Sequence, residues 1–163
     1  MAFSFLSGIR VLDLSQYLPG PLAAQVLADL GAEVVKIEPP AGDPQRHLDP
    51  TAGPLDPDVV EGGDASPFYH VLNAGKTVTR LDLKSDAGRA QFQALVQGAD
   101  VLLESYRPGV LDRLGFGYDA AKDLNPGLIY CALTGYGQTG PLRLAAGHDL
   151  NYMAATGALS QAG

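Results

Sequence analysis

The sequence predicts an α/β fold, a parallel sheet with helices crossing over its faces. Short apolar runs alternate with stretches of helical pattern along most of the 163 residues. The breaks between them fall on Gly, Pro and Ser at positions where helices start and stop. Apolar residues make up 46% of the chain, enough to bury a core, and the length suits one domain over residues 1–163.

The first run, Arg10-Val-Leu-Asp-Leu14, ends at Ser15 and reads as a buried strand. Gly20-Pro21 opens an Ala/Leu-rich helix over Leu22–Leu30, where Pro near the first turn is tolerated. Gly31 closes that helix, and Glu33–Ile37 is the second strand. Residues 38–66 are rich in Pro, Gly and Asp and carry no periodicity. They predict a long loop, and loops of that length more often serve function than connection.

Order resumes at Pro67–Leu72, followed by a strand over Thr77–Leu83. Ser85 is placed to cap a helix running to about Gln97. Asp100–Glu104 is the fourth strand, Pro108–Leu114 and Tyr118–Leu124 are short helices, and Leu128–Leu133 is the fifth strand. Such alternation implies βαβ units with right-handed crossovers. No internal repeat or low-complexity tract interrupts it.

A formal charge of −7 and a pI near 4.7 argue against nucleic acid as the partner, because phosphate backbones need a basic surface. The N-terminus lacks the basic segment and apolar core of a signal peptide. No apolar run approaches the roughly 18 residues that span a bilayer. The expectation is a cytoplasmic protein with no membrane partner. Cys131 is the single cysteine, which excludes a disulfide within the chain, and its place in an apolar strand predicts a small core residue. His47, His70 and His148 lie too far apart in sequence for metal-ligand spacing, so no metal is expected.

In an open parallel sheet, ligands bind beyond the carboxyl ends of the strands. Those ends nominate Ser15–Gly20, Glu38, Asp82–Lys84, Glu104–Arg107 and Thr134–Asp149. Tyr106 and Arg107 offer an aromatic face and a fixed cation for a phosphorylated adenine nucleotide, and Lys84 and Arg113 can approach the same anion. Near the C-terminus a glycine-rich loop, with Gly135, Gly137, Gly140 and Gly147, delivers His148-Asp149 to a helix start. Freed amides, a helix N-terminus and an imidazole can hold an anionic oxygen and move a proton beside it. The plainer reading is that Asp149 caps that helix and His148 is a neighbour. Glu38 also stands where a dinucleotide-binding acid would meet a ribose. However, the turn after the first strand, Ser-Gln-Tyr-Leu-Pro-Gly-Pro, lacks Gly-x-Gly-x-x-Gly, and its prolines remove amides that would cradle a pyrophosphate.

Several longer strings resemble the family III CoA-transferases, the CaiB/BaiF superfamily that includes the α-methylacyl-CoA racemases. They are Leu6-Ser-Gly-Ile-Arg-Val-Leu-Asp-Leu14 with Pro19-Gly-Pro21, and Leu27-Ala-Asp-Leu-Gly-Ala-Glu-Val-Val-Lys-Ile-Glu38. Further along are Leu81-Asp-Leu-Lys-Ser85, Ala99-Asp-Val-Leu-Leu-Glu104 and Tyr106-Arg-Pro-Gly-Val110 with Arg113-Leu-Gly115. Asn125-Pro-Gly-Leu-Ile-Tyr130 and Gly135-Tyr-Gly-Gln-Thr-Gly-Pro141 complete the set.

The resemblance implies the N-terminal part of a Rossmann-like large domain that binds coenzyme A, in enzymes whose subunits form interlocked homodimers. It implies no tightly bound cofactor, with acyl-CoA and a free carboxylate as substrates. Carried onto this sequence, CoA contacts fall on Leu81, Asp82, Leu83 and Lys84, on Ser105, Tyr106, Arg107 and Arg113, and on Gly147, Leu150, Asn151 and Tyr152. His148 and Asp149 are the catalytic candidates within the chain.

The two branches differ in chemistry. Transferases use an aspartate that attacks the thioester and passes through a mixed anhydride and an aspartyl-CoA thioester. Racemases move the α-proton between a His and an Asp. In both, the essential Asp belongs to a Gly-Asp motif beyond Gly163, so residues 1–163 alone are expected to be inactive, a CoA-binding fragment. His148-Asp149 matches the racemase pattern. Pro39 after Glu38, and the long loop, are closer to the transferases. Leu18 stands where the formyl-CoA subgroup has glutamine, which disfavours formate and oxalate. CoA transfer is the favoured reading and racemisation the alternative.

Overall fold

The computed structural model describes residues 4–49, 53–54 and 65–162. Strands β1 (Arg10–Leu14), β2 (Glu33–Glu38), β5 (Thr77–Arg80), β6 (Val101–Glu104) and β7 (Ile129–Ala132) form a five-stranded sheet in the order β5-β2-β1-β6-β7. Every pairing is parallel, with Leu12 opposite both Val35 and Leu102. The chain therefore steps outward from β1 in one direction, returns, and steps outward in the other, as expected of a Rossmann-like fold. Helices α1 (Pro19–Asp29), α2 (Pro67–Leu72), α3 (Asp86–Gln97), α4 (Val110–Leu114), α5 (Tyr118–Leu124) and α6 (Asp149–Thr156) accompany this sheet, with two short 3-10 turns.

Because side chains alternate along each strand, the sheet has two faces of different character. One carries Leu12, Leu14, Val35, Ile37 and Leu102 against Phe92 and Val96 of α3, Leu111 of α4 and Phe116. The Phe92 and Phe116 rings meet edge to face at 4.7 Å. The other face carries Val11, Val34 and Leu103 against Ala24 of α1. On this same face, towards the carboxyl ends of the strands, come Asp13, Lys36 and Glu38, all buried.

Local chemistry explains the boundaries. Ser85 Oγ accepts from Gly88 N at 3.1 Å and starts α3, while Ser66 Oγ accepts from Tyr69 N at 3.1 Å and starts α2. Gly115 ends α4 with φ of 83°, a left-handed turn that glycine adopts without a Cβ penalty.

Three expectations need correction. β5 stops at Arg80 rather than Leu83: Leu81 N still donates to Glu38 O at 2.8 Å, but Ser85 N then turns back to Asp82 O. The expected loop 38–66 contains a 3-10 turn at Pro44–His47 and a two-residue pairing of β3 (Leu48–Asp49) with β4 (Gly53–Pro54); residues 50–52 and 55–64 lie outside the described residues. Cys131 is exposed, not core. It sits on edge strand β7 and faces the side of the sheet where α1 lies over β1, β2 and β6.

Candidate active site

The sheet reverses its order between β1 and β6, which leaves a crevice between the segments leaving their carboxyl ends. Ser15 to Leu18 leaves β1 there, and Ser105 to Arg107 leaves β6. Gln16 N donates to Ser105 Oγ at 3.0 Å and ties the two segments together.

Beneath this crevice lies a layer of buried charge. Lys76 Nζ donates to Asp13 Oδ2 at 2.9 Å, to Pro21 O at 2.8 Å and to Asn73 Oδ1 at 3.0 Å. Burial lowers the pKa of Lys76, and the Asp13 carboxylate only partly offsets this. The other Asp13 oxygen accepts from Ser15 N and Ser15 Oγ. Lys36 Nζ lies 2.8 Å from Asp43 Oδ2, with side-chain exposures of 0% and 1%.

Glu38 is not free for a ribose. It accepts from Arg46 through both oxygens at 2.8 and 3.1 Å and from Tyr69 Oη at 2.5 Å, and the Arg46 guanidinium stacks over the Tyr69 ring. Burial pushes its carboxyl pKa up, but the Arg46 and Tyr69 hydrogen bonds and the nearby cations outweigh it, so the net shift is downward. The dinucleotide reading loses its acid.

On the opposite face, Glu104 at the end of β6 lines a cleft of about 420 Å³ with Arg107, Asp112, Tyr118, Tyr130 and Gln138. Burial raises the Glu104 pKa, against the hydrogen bond it accepts from Tyr106 N at 2.7 Å, and the Asp112 charge adds to the rise. Burial also raises Tyr106, with the Glu104 charge adding to it.

The glycine-rich loop and α6 hold one another. Tyr152 Oη donates to Gly147 O at 2.7 Å, and the Tyr136 and Tyr152 rings meet at 5.3 Å. A Cβ on Gly135 or Gly147 would run into the Tyr152 ring, which is why both positions need glycine. Asn151 Oδ1 accepts from His148 N at 2.9 Å. His148 is thus the N-cap residue of α6 and Asp149 its first residue, both exposed, with the Asp149 carboxylate at the positive end of the helix.

The nominated residues divide by role. Ser105, Tyr106 and Arg107 sit at the switch point, and Arg107 lines the cleft. Arg113 is exposed on α4, with its guanidinium folded back towards Gly109. Leu81 and Leu83 are in the core, leaving only backbone for a ligand, while Lys84 is exposed and its amide donates to Asp82 Oδ1 at 3.0 Å. That segment follows β5, three strands from β6, so roughly 14 Å along the same sheet edge. Asn151 and Tyr152 spend hydrogen bonds on the loop, and Leu150 is exposed beside them.

Sequence reasoning missed Lys36, Asp43, Arg46, Tyr69 and Lys76. The available signal was Lys36 itself: a charge inside the apolar run Val-Val-Lys-Ile demands a buried partner. Among the described residues no cluster of three or more His, Cys, Asp or Glu side chains is placed to hold a metal. No helix among them is long and apolar enough to cross a membrane.

The fold is a parallel α/β sheet flanked by helices, with Tyr106 and Arg107 beyond β6 at the point where strand order reverses. The model of CoA-transferase family III matches residues 6–163, and the chain belongs to that family. It is 42% identical over 163 residues to a succinate–glutarate CoA-transferase of Agrobacterium fabrum, covering 97% of this chain and 39% of the relative. It is 41% identical over 157 residues to an acetyl-CoA:oxalate CoA-transferase of Acetobacter aceti, covering 96% and 38%. Among solved structures, a CAIB/BAIF family protein from Brucella suis superposes with a TM-score of 0.83 at 39% identity, over 93% of this chain and 39% of that one. The chain thus spans under two fifths of the length of these relatives.

Proposed function

We propose that the protein is an acyl-CoA-processing enzyme that moves CoA between an acyl-CoA and a free carboxylate, and that residues 1–163 form the N-terminal part of its CoA-binding domain. The observation that carries this reading is the 41–42% identity, over nearly the whole chain, to proteins named as CoA-transferases. The strand-end cations support it as well. Lys84 and Arg107 follow strand ends on one sheet edge, Arg113 adds a charge on α4, and an extended nucleotide with several phosphates can use charges that far apart. Tyr106 supplies the aromatic surface for its base.

In this reading a carboxylate nucleophile forms a C–O bond to the acyl carbon as the C–S bond breaks, and CoA leaves as thiolate. The thiolate then attacks the enzyme's own carbonyl, releasing the donor acid and leaving CoA on the enzyme. The acceptor carboxylate repeats both steps in reverse. In this reading the His148 imidazole and the α6 N-terminus would favour the oxyanion. The protein is further proposed to work as a cytoplasmic homodimer.

The exposed His148-Asp149 pair favours one alternative, an α-methylacyl-CoA racemase. One experiment separates the readings: the whole gene product is incubated with a 2-methylacyl-CoA in heavy water, beside an assay of CoA transfer to dicarboxylates. The panel includes oxalate, which Leu18 argues against and the Acetobacter relative argues for. Transfer without C2 deuteration is expected. Deuteration that His148→Ala abolishes, a loss of roughly 10²–10⁴ in rate, means racemase. Absence of both reactions leaves a CoA-binding protein.

A further inference from the structure

Three successive backbone groups beyond β1 are each held by a side chain from a different part of the chain. Ser15 O accepts from Lys36 Nζ at 3.0 Å, Gln16 N donates to Ser105 Oγ at 3.0 Å, and Tyr17 N donates to Asp43 Oδ1 at 3.4 Å. Lys36 and Asp43 then join one another through their buried ion pair. Asp43 Oδ1 also accepts from Gln45 N at 2.9 Å, so the clamp is anchored in the 3-10 turn that follows.

The segment so held is under strain. Tyr17, with φ of 63°, is the single non-glycine residue of positive φ among the described residues. A side chain in that region persists only where its surroundings over-determine it. The strained residue is not buried: Tyr17 is 50% exposed and Leu18 43%. Apolar burial therefore does not account for this conformation, and the contacts on its backbone are the polar ones from Lys36, Ser105 and Asp43. A buried ion pair contributes little net stability, because desolvation offsets its attraction, so Lys36 and Asp43 are poorly explained as simple stabilisers.

We propose that Asp43, held by Lys36, is a positioning residue: it fixes Tyr17 in the left-handed conformation and so aims the Tyr17 and Leu18 side chains across the switch-point crevice, against the acyl thioester. The identity of that ligand rests on the CoA-transferase reading, while the clamp itself does not.

The test compares two double variants of the whole gene product, each free of an orphaned charge. Lys36→Met with Asp43→Asn retains a side-chain oxygen for Tyr17 N. Lys36→Met with Asp43→Leu removes it. Amide hydrogen exchange at Tyr17 is expected to stay within about three-fold of wild type in the first and to rise more than ~ten-fold in the second, with Val11 and Leu12 unchanged in both. In the transfer assay the Leu variant should lose roughly ten- to a hundred-fold in kcat at nearly constant KM for the CoA ester. Ser105→Ala, a milder change, should free the Gln16 amide and lower kcat in the same direction, and it serves if either double variant fails to fold.

Equal Tyr17 exchange in the two double variants, or faster exchange spread along β1, overturns the proposal, as does an exchange difference with unchanged kcat. If Ser105→Ala leaves Gln16 exchange as in wild type, the clamp is also refuted. If Tyr17 exchange differs between the two double variants but the wild-type protein transfers no CoA, the clamp stands and the transferase reading falls instead.

Discussion

Tyr152 Oη donates to Gly147 O at 2.7 Å, so α6 braces the loop that precedes its own N-cap. The His148 position therefore depends on a ring one turn further along. Tyr152→Phe keeps the ring and deletes this bond, and should cost about 1 kcal/mol in local stability. Gly147→Ala should cost more, since its Cβ would stand 2.7 Å from the Tyr152 ring and 3.0 Å from Tyr136 Oη. Hydrogen exchange in residues 147–152 checks both, and unchanged protection in Gly147→Ala would show that the ring simply moves aside.

Glu38→Gln should destabilise the protein at neutral pH by roughly 3 kcal/mol, because Arg46 loses its countercharge. The folded Glu38 pKa is lowered from 4.5, so its contribution is present above that value and fades as pH falls through the lower folded one. Thermal melts should therefore separate wild type from Glu38→Gln at pH 7 and converge under acid conditions. A constant gap down to low pH would mean that the ionised form is not what the fold prefers.

Glu104→Gln should do the opposite. Burial raises the Glu104 pKa above its unfolded value, so its favourable contribution is present below 4.5 and is lost as pH rises through the folded value. Glutamine keeps an oxygen for Tyr106 N and removes the buried charge. The variant should melt higher than wild type at pH 7 and no higher at pH 4; a lower melting point at pH 7 would show that the carboxylate is paired.

Phe92→Ala should cost about 3–5 kcal/mol, since the ring is fully buried and meets Phe116 edge to face. Denaturant unfolding measures it directly, and a loss below about 1 kcal/mol would mean that α3 collapses onto the sheet.

The fold was legible because its signals are local. Val-Leu-Asp-Leu marks a strand and Ser85 a cap without reference to distant residues, and observed bounds differ from expected ones by a residue or so at most strands. The exception, β5, ends early because the Asp82 carbonyl is taken by a turn, which no periodicity announces. Candidate site residues at strand ends were equally accessible once a parallel sheet was inferred. The charged layer was not. Asp43 and Arg46 lie in a stretch without periodicity, and pairing Lys36 with Asp43, or Lys76 with Asp13 63 positions away, requires the folded chain. Cys131 misled because an edge strand and an inner strand share one composition, and only sheet order tells them apart.

The burial of Lys36 and Lys76 bears on chemical self-damage. The sequence holds four lysines, and the other two, Lys84 and Lys122, are exposed. Thioesters acylate amines without any catalyst, provided a neutral amine can meet the electrophile. Burial lowers the pKa of Lys76, which favours the neutral amine, yet the group is sealed between Asp13, Pro21 and Asn73. If the protein handles acyl-CoA as proposed, adducts would thus accumulate at Lys84 and Lys122 first, while the amines beneath its crevice age unmodified.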